Sequence, residues 1–474
     1  MGFIRHKKVK NKLYAYEVTS KWDPNLKQSR SISKYLGPVD PSTNEIIPFT
    51  KKSTETEQLI VDFGDGYFLY QHIKNSNIYP FLSTIFESVP VLFPLIMYRL
   101  CMQSPMYNCA NWIDGNITKY LFKNADLSSQ RISEILAFIG QESVQRAFFT
   151  QYNNLIGGSD RAVIIDATSL PNQINIDFNA WGRSDGKIEK QFRLLCVVDQ
   201  LKKIPLFYRF LPGNLTDIST LQTTILELES MGVKHGFTLL DAGYFSESNL
   251  CDIYKRNIDF LIRMPSGRAI YKDIILNKIE GLEDLSNVAI LGDRSFFVKK
   301  ITIDLYGNKA YAYVVLDPER KAKEAKKIIE KYYNEPLDTN QKQYKLAYSS
   351  CGIMILISSK DIAVNEVVSA YYLRQSIEQI FGFSKDDLGL LPIRNHNDLT
   401  VRGYLFLQFI LLILYIQIRE QLAPISITVE QAIISLRKLK CKVFEHKIIP
   451  SELTKIQRVI FEQQKVLVPN FLGI

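Results

Sequence analysis

Hydrophobic and polar positions follow several rhythms along this chain of 474 residues. Over residues 1–50, basic, aromatic and small residues alternate (KLYAYEV, then SRSISKYLG) between turn formers at WDPN and Gly37-Pro38. That pattern predicts a small β-rich module. From 55 to 155 the apolar spacing becomes helical, and LSSQRISEILAFIGQ (127–141) sets a serine cap before an amphipathic run. Either a DNA-binding helix-turn-helix or a plain helical hairpin satisfies this stretch.

Between 160 and 265 the texture changes again. AVIIDATSL, QFRLLCVVD and IPLFYRFL read as three consecutive strands and DISTLQTTILELESMG as a helix. GFTLLDAGY and DFLIRM read as further strands around the helix ESNLCDIYK. This order predicts an α/β fold with a ribonuclease H-like core. Residues 266–360, rich in short strands and charge, with a hairpin at DLYGNK and a basic helix at ERKAKEAKKIIEKYY, are expected as a β-rich insertion. The core resumes over 361–425, and 426–474 is expected to be a C-terminal helical region. The apolar run YLFLQFILLILYIQI (404–418) contains Gln408 and Gln417 and falls short of the roughly 20 residues of a bilayer span. It predicts a buried helix and no membrane association.

Charge adds a weak pointer. Lys and Arg outnumber Asp and Glu by 58 to 49, a net +9 that favours a polyanionic partner such as nucleic acid. Six cysteines (Cys101, Cys109, Cys196, Cys251, Cys351 and Cys441) lie far apart with no C-x-x-C, which indicates neither a zinc cluster nor a disulfide framework and fits a reducing cytoplasm. The basic N-terminus MGFIRHKKVKNK lacks the apolar centre of a signal peptide. The five histidines show no ligand spacing, and WGRSDGK, with Asp185 on an expected solvated loop, has the wrong glycine spacing for a P-loop. Asn214 and Asp217 are expected to serve a turn and a helix cap.

Two carboxylates stand out. Asp166 follows Val163-Ile164-Ile165 and Asp241 follows Thr238-Leu239-Leu240, so each ends an apolar strand, where burying an ionised group is costly without a cation or hydrogen bonds. One such Asp is explained by turn capping; two on neighbouring strands point to a shared purpose. Further on, YYLRQSIEQIFGFSK (371–385) has the pattern of an amphipathic helix. At about 100° per residue, Tyr371, Arg374, Glu378 and Lys385 fall near 0°, 300°, 340° and 320°, on one stripe. Taken alone, the stripe also describes a solvated face with an Arg374/Glu378 pair. With Asp166 and Asp241, Glu378 completes a set of three acids suited to two Mg²⁺ ions about 4 Å apart, with Mn²⁺ as a substitute. Tyr371, Arg374 and Lys385 would then bind DNA phosphates.

The spacing Y-x2-R-x3-E-x6-K met by these four residues resembles the signature of the DDE transposases of the insertion-sequence-four group. The resemblance extends to VIIDATSL, the Pro-Gly-Asn turn at 212–214, LLDAGYFSESNL, and intervals of 75 and 137 residues between the acids. It covers roughly 160–420. It implies a ribonuclease H-like core that nicks double-stranded DNA at transposon ends and joins them to target DNA, as a homodimer on DNA. Asp166, Asp241 and Glu378 are implied as metal ligands. Relatives in the group carry a tryptophan in the insertion that stacks on a flipped base. Here Trp22, Trp112 and Trp181 all lie outside it, leaving Tyr306, Tyr311, Phe296 or Phe297 as candidates. A transposase-derived DNA-binding protein without catalysis and a hydrolytic nuclease on the same fold remain the alternatives.

Overall fold

A computed structural model describes residues 2–9, 12–23, 28–40, 45–46, 59–88, 90–123, 125–157, 161–184, 186–333 and 341–473. Pro24 and Asn25 of the expected WDPN turn, and Asp185, lie outside them. The chain forms two compact units, Met1–Leu59 with Val443–Lys447, and Ile60–Lys442 with Ile448–Ile474. In the first unit the alternating N-terminal residues form an antiparallel sheet in the order β1-β2-β3, with β1 at Phe3–Val9, β2 at Lys12–Asp23 and β3 at Gln28–Pro38.

A short strand, β4 (Leu59–Asp62), leads into a run of helices that includes Ser129–Ile139 and Glu142–Ile156. Ser128 caps the first of these by accepting from the Arg131 N–H, as the sequence predicts. The main sheet follows: β5 (Arg161–Pro171), β6 (Ala180–Ser184), β7 (Lys187–Asp199), β8 (Pro205–Pro212), β9 (His235–Leu240) and β10 (Asp259–Arg263). Its central order is β8-β7-β5-β9-β10. β5 runs parallel to β9 and β9 to β10, while β7 is antiparallel to both β5 and β8. This is the ribonuclease H-like arrangement, three strands in series and then two alternating with the helices Asp217–Ser230 and Glu247–Lys255. Strands covered on both sides need unbroken apolar runs, and Val163, Ile164, Ile165, Leu239 and Leu240 are all completely buried. β6 was not expected, because AWGRS carries no apolar alternation; it forms by pairing with the exposed start of β7.

Residues 266–360 hold β11 (Val288–Leu291), β12 (Arg294–Leu305), β13 (Asn308–Leu316) and β14 (Ile353–Ser358), with helices at Ala269–Asn277, Pro318–Tyr333 and Gln341–Ser349. The four strands add antiparallel onto β10 and extend the same sheet. At the DLYGNK hairpin, Tyr306 and Gly307 have φ of 54° and 80°. Two positive values in a two-residue loop match the twist of the flanking strands.

The long apolar run becomes the helix Asp398–Leu422, of sufficient length and hydropathy to cross a membrane but packed mostly inside the fold. It crosses Ser129–Ile139 at two glycines. A Cβ on Gly403 would lie 1.8 Å from the Leu136 carbonyl oxygen, and one on Gly140 would lie 2.0 Å from that of Leu399.

The stretch 371–385 departs from the single helix expected. Val364–Tyr372 and Gln375–Gly382 are separate helices, followed by a π-helical turn at Phe383–Asp387. At the break, the N–H groups of Arg374, Ser376 and Ile377 bond three residues back instead of four. This tightening lets Tyr371 turn inward to 6% exposure, so it leaves the solvent stripe.

Candidate active site

Adjacent parallel strands bring two of the predicted acids together. Ile165 of β5 pairs in register with Leu240 of β9, so Asp166 and Asp241 come one step later on neighbouring strands. Such strands lie about 4.8 Å apart. Asp166 remains in the ladder, opposite Cys196. Asp241 lies just past β9 and begins the short turn Ala242–Tyr244.

The helices beside the sheet bring the rest. The Tyr371 hydroxyl lies 3.3 Å from Asp241 Oδ1. Arg374 donates from Nη1 to Asp166 Oδ2 at 2.8 Å and from Nη2 to Glu378 Oε1 at 2.7 Å. Lys385 donates from Nζ to Thr168 Oγ1 at 2.7 Å, two residues along β5 from Asp166 and on the same face. The six predicted residues therefore lie around the same stretch of β5 and the end of β9, joined through pairwise contacts. The break at Leu373–Arg374 is what allows it, since it turns Tyr371 and Arg374 toward two different strands.

Electrostatics follow from this packing. Burial raises the Asp166 carboxyl to about 6; Arg374 and the Ala167 N–H pull it down, while Asp241 and Asp217 push it up. Burial also raises the Tyr371 hydroxyl, and the charge of Asp241 adds to it. Burial opposes the charge on Arg374, but Asp241, Asp166 and Glu378 outweigh it and hold the guanidinium above its ordinary value. Glu378 is about half exposed, at 52%.

The acids do not yet form a metal cage. Among the described residues no three His, Cys, Asp or Glu side chains are gathered closely enough to hold an ion. The physical reason is Arg374, whose fork spans Asp166 and Glu378. The donor set still suits a hard divalent cation, because its carboxylate oxygens already surround a positive group. Of the proposed stacking aromatics, Phe296 is core, at 1% exposure.

Three further residues join the site. Asp217, expected as a cap, is the first helical residue; Thr216 is the cap, and the Asp217 carboxylate pairs with Arg193 of β7 at 2.6 Å. Burial raises the Asp217 carboxyl, and Asp241 pushes it further against the pull of Arg193. Tyr244 is fully buried, its hydroxyl lacks a hydrogen-bond partner among the described residues, and it is influenced by the charges of Asp217, Asp166 and Asp241. The sequence signal was the Pro-Gly-Asn turn, three residues before Asp217, which fixes where that helix starts.

Residues 157–414 match the family described as the transposase DDE domain. The chain belongs to this family. DDE transposases generally use divalent metal ions, and the family implies an enzyme of DNA cleavage and strand transfer. Among solved structures, the chain aligns with a piggyBac transposase synaptic complex with hairpin DNA at 9% identity and TM-score 0.41, covering 84% of this chain and 70% of that one. It also aligns with the Drosophila P element transposase strand transfer complex at 12% identity and TM-score 0.16, covering 66% and 86%. No curated protein matches.

Proposed function

We propose that this DDE-family chain is a transposase of the insertion-sequence-four group, which cleaves double-stranded DNA at the element's terminal repeats and transfers the freed 3′ ends into target DNA. The observation that carries the reading is that Tyr371, Arg374, Glu378 and Lys385, the four residues of the signature spacing, all adjoin the face bearing Asp166 and Asp241.

Asp166, Asp241 and Glu378 would hold two Mg²⁺ ions, with Mn²⁺ able to replace them. These would activate the attacking oxygen and stabilise the leaving one in an in-line displacement at phosphorus. The side chains do the positioning. Lys385 supplies a point charge, Arg374 a forked donor and Tyr371 a hydroxyl for the phosphate oxygens. Water would attack the phosphodiester and break its P–O3′ bond, leaving a 3′ hydroxyl on the element and a 5′ phosphate on the flank; that hydroxyl would then attack a target phosphorus and displace the target's own 3′ oxygen as a hydroxyl. Two ends must be joined in concert, so the working species is a homodimer on DNA. Residues 266–360 would be the β-rich insertion of this group's architecture. The compartment this reading expects is the cytoplasm, whose reducing conditions would keep the six cysteines as thiols.

A second reading, DNA binding without chemistry, draws on Arg374 bridging Asp166 and Glu378. Incubating supercoiled plasmid carrying the gene and its native flanks with Mg²⁺ or Mn²⁺ separates the two. Metal-dependent nicks at the element ends, lost in Glu378→Gln, support the transposase. Binding of the flanks without cutting by either protein supports the second reading.

A further inference from the structure

The chain's excess charge is not spread evenly. Residues 1–38 contain nine Lys and Arg against two acids, a net +7 of the whole chain's +9. Seven of these cations and both acids lie within the strands β1, β2 and β3, a net +5 for the sheet.

Register sorts these charges between two faces. Arg5 pairs with Tyr16, Lys7 with Tyr14 and Val9 with Lys12, so Arg5, Lys7, Lys12, Tyr14 and Tyr16 share one face. Tyr35 lies there too, with its ring 5.3 Å from that of Tyr16 and 6.0 Å from that of Tyr14. Further along, Ser20 bonds to Ser29 on the same side, beside Trp22, which is 61% exposed. Among the described side chains this face has three cations and no carboxylate, whereas the opposite face carries Lys8, Lys21, Arg30 and Lys34 together with Glu17. Every residue of β1 is exposed.

We infer that this face docks on duplex DNA of any sequence. Outer strands of a three-stranded sheet lie about 10 Å apart, close to the roughly 12 Å width of the major groove. Arg5, Lys7 and Lys12 contact phosphates, and the tyrosines and serines between them donate hydroxyls to phosphate and sugar oxygens, contacts that carry no sequence information. The inference assigns DNA holding to the N-terminal sheet, where the helical pattern of 55–155 had suggested it. It rests on the proposed function only for the identity of the polyanion.

The test is fluorescence anisotropy with the full chain and a mixed-sequence duplex across a salt series. Replacing Arg5, Lys7 and Lys12 together by alanine is expected to weaken binding about tenfold or more and to flatten the slope of log K against log salt by about 2.7. Replacing Lys8, Lys21 and Lys34 together by alanine, on the opposite face, is expected to change binding much less, and the circular dichroism of all variants should match wild type. An unchanged slope in the first triple variant, an equal loss in the opposite-face triple variant, tighter binding of single strands than duplex, or clear preference for the native-flank duplex through Arg5, Lys7 and Lys12 would each overturn the inference. Asp166→Asn separates the two claims. Duplex binding that depends on the sheet, with no cleavage by the wild type, keeps this inference while removing the transposase reading.

Discussion

The Arg374 guanidinium stands 2.8 Å from Asp166 and 2.7 Å from Glu378, between two of the three acids implied as metal ligands. A cation placed there competes with Mg²⁺ for the same oxygens. Binding of metal and release of Arg374 are then linked, and the freed fork becomes available to a phosphate. Arg374→Ala is expected to raise Mn²⁺ affinity roughly tenfold, about 1.4 kcal/mol, in calorimetry of the DNA-free protein. Cleavage by the same variant is expected to fall by roughly a hundredfold or more, because the phosphate loses its bidentate donor. Unchanged metal affinity would show that Arg374 does not occupy the metal's place.

A pH dependence follows from Asp166. Its carboxyl titrates at about 6, where the ordinary value is 3.8. Below about 6 a divalent cation must displace that proton to bind, so at subsaturating Mg²⁺ cleavage is expected to rise with pH through about 6 and then level off. Stability runs the other way. A raised carboxyl pKa means that the folded state holds its proton more tightly than the unfolded chain, so this contribution is fully present below about 4 and is lost as pH rises through about 6. Denaturant titrations of the metal-free protein at pH 4 to 7, comparing wild type with Asp166→Asn, test the sign: the variant should lack that part of the decline.

How much of this could be read from the sequence depends on how local each signal was. Asp166 and Asp241 were legible because a charge at the end of an unbroken apolar strand has few explanations, and the parallel pairing of β5 with β9 made them neighbours. The stripe at 371–385 singled out four residues that adjoin the same part of the sheet, but on a wrong geometry. Angular arithmetic assumes a continuous helix, and the break at Leu373–Arg374 comes from hydrogen bonds made in the packed fold. Asp217 was hidden by its position, since an acid at a helix start needs no further role. Its link to Arg193 joins residues 24 apart in the chain, which helical or strand periodicity does not register.

The crossing of Asp398–Leu422 over Ser129–Ile139 depends on Gly403. A methyl group there would meet the Leu136 backbone oxygen at 1.8 Å, and backbone cannot step aside as a flexible side chain can. Gly403→Ala is expected to destabilise the fold by about 1–3 kcal/mol despite alanine's better helix propensity. Thermal unfolding should show a lower Tm, and an equal or higher one would mean that the two helices separate at little cost.

Asp217 is predicted to tune Asp166 without touching DNA. Asp217 contributes a repulsive charge, so Asp217→Asn should lower the Asp166 pKa; the loss also leaves Arg193 with less of its charge neutralised, which acts in the same direction. The expected result is an acid-ward shift of the pH-rate midpoint, with the plateau rate less affected than the midpoint. A merely structural role would lower the rate at every pH and leave the midpoint in place. Tyr244→Phe is the companion. Its hydroxyl is buried without a partner among the described residues, and an unsatisfied buried hydroxyl costs about 1–3 kcal/mol. Removing it should leave stability unchanged or increase it by about 1 kcal/mol in denaturant titration. A loss of that size would instead reveal an ordered water bridging Tyr244 to the carboxylates, and Asp217→Asn should then weaken that bridge as well.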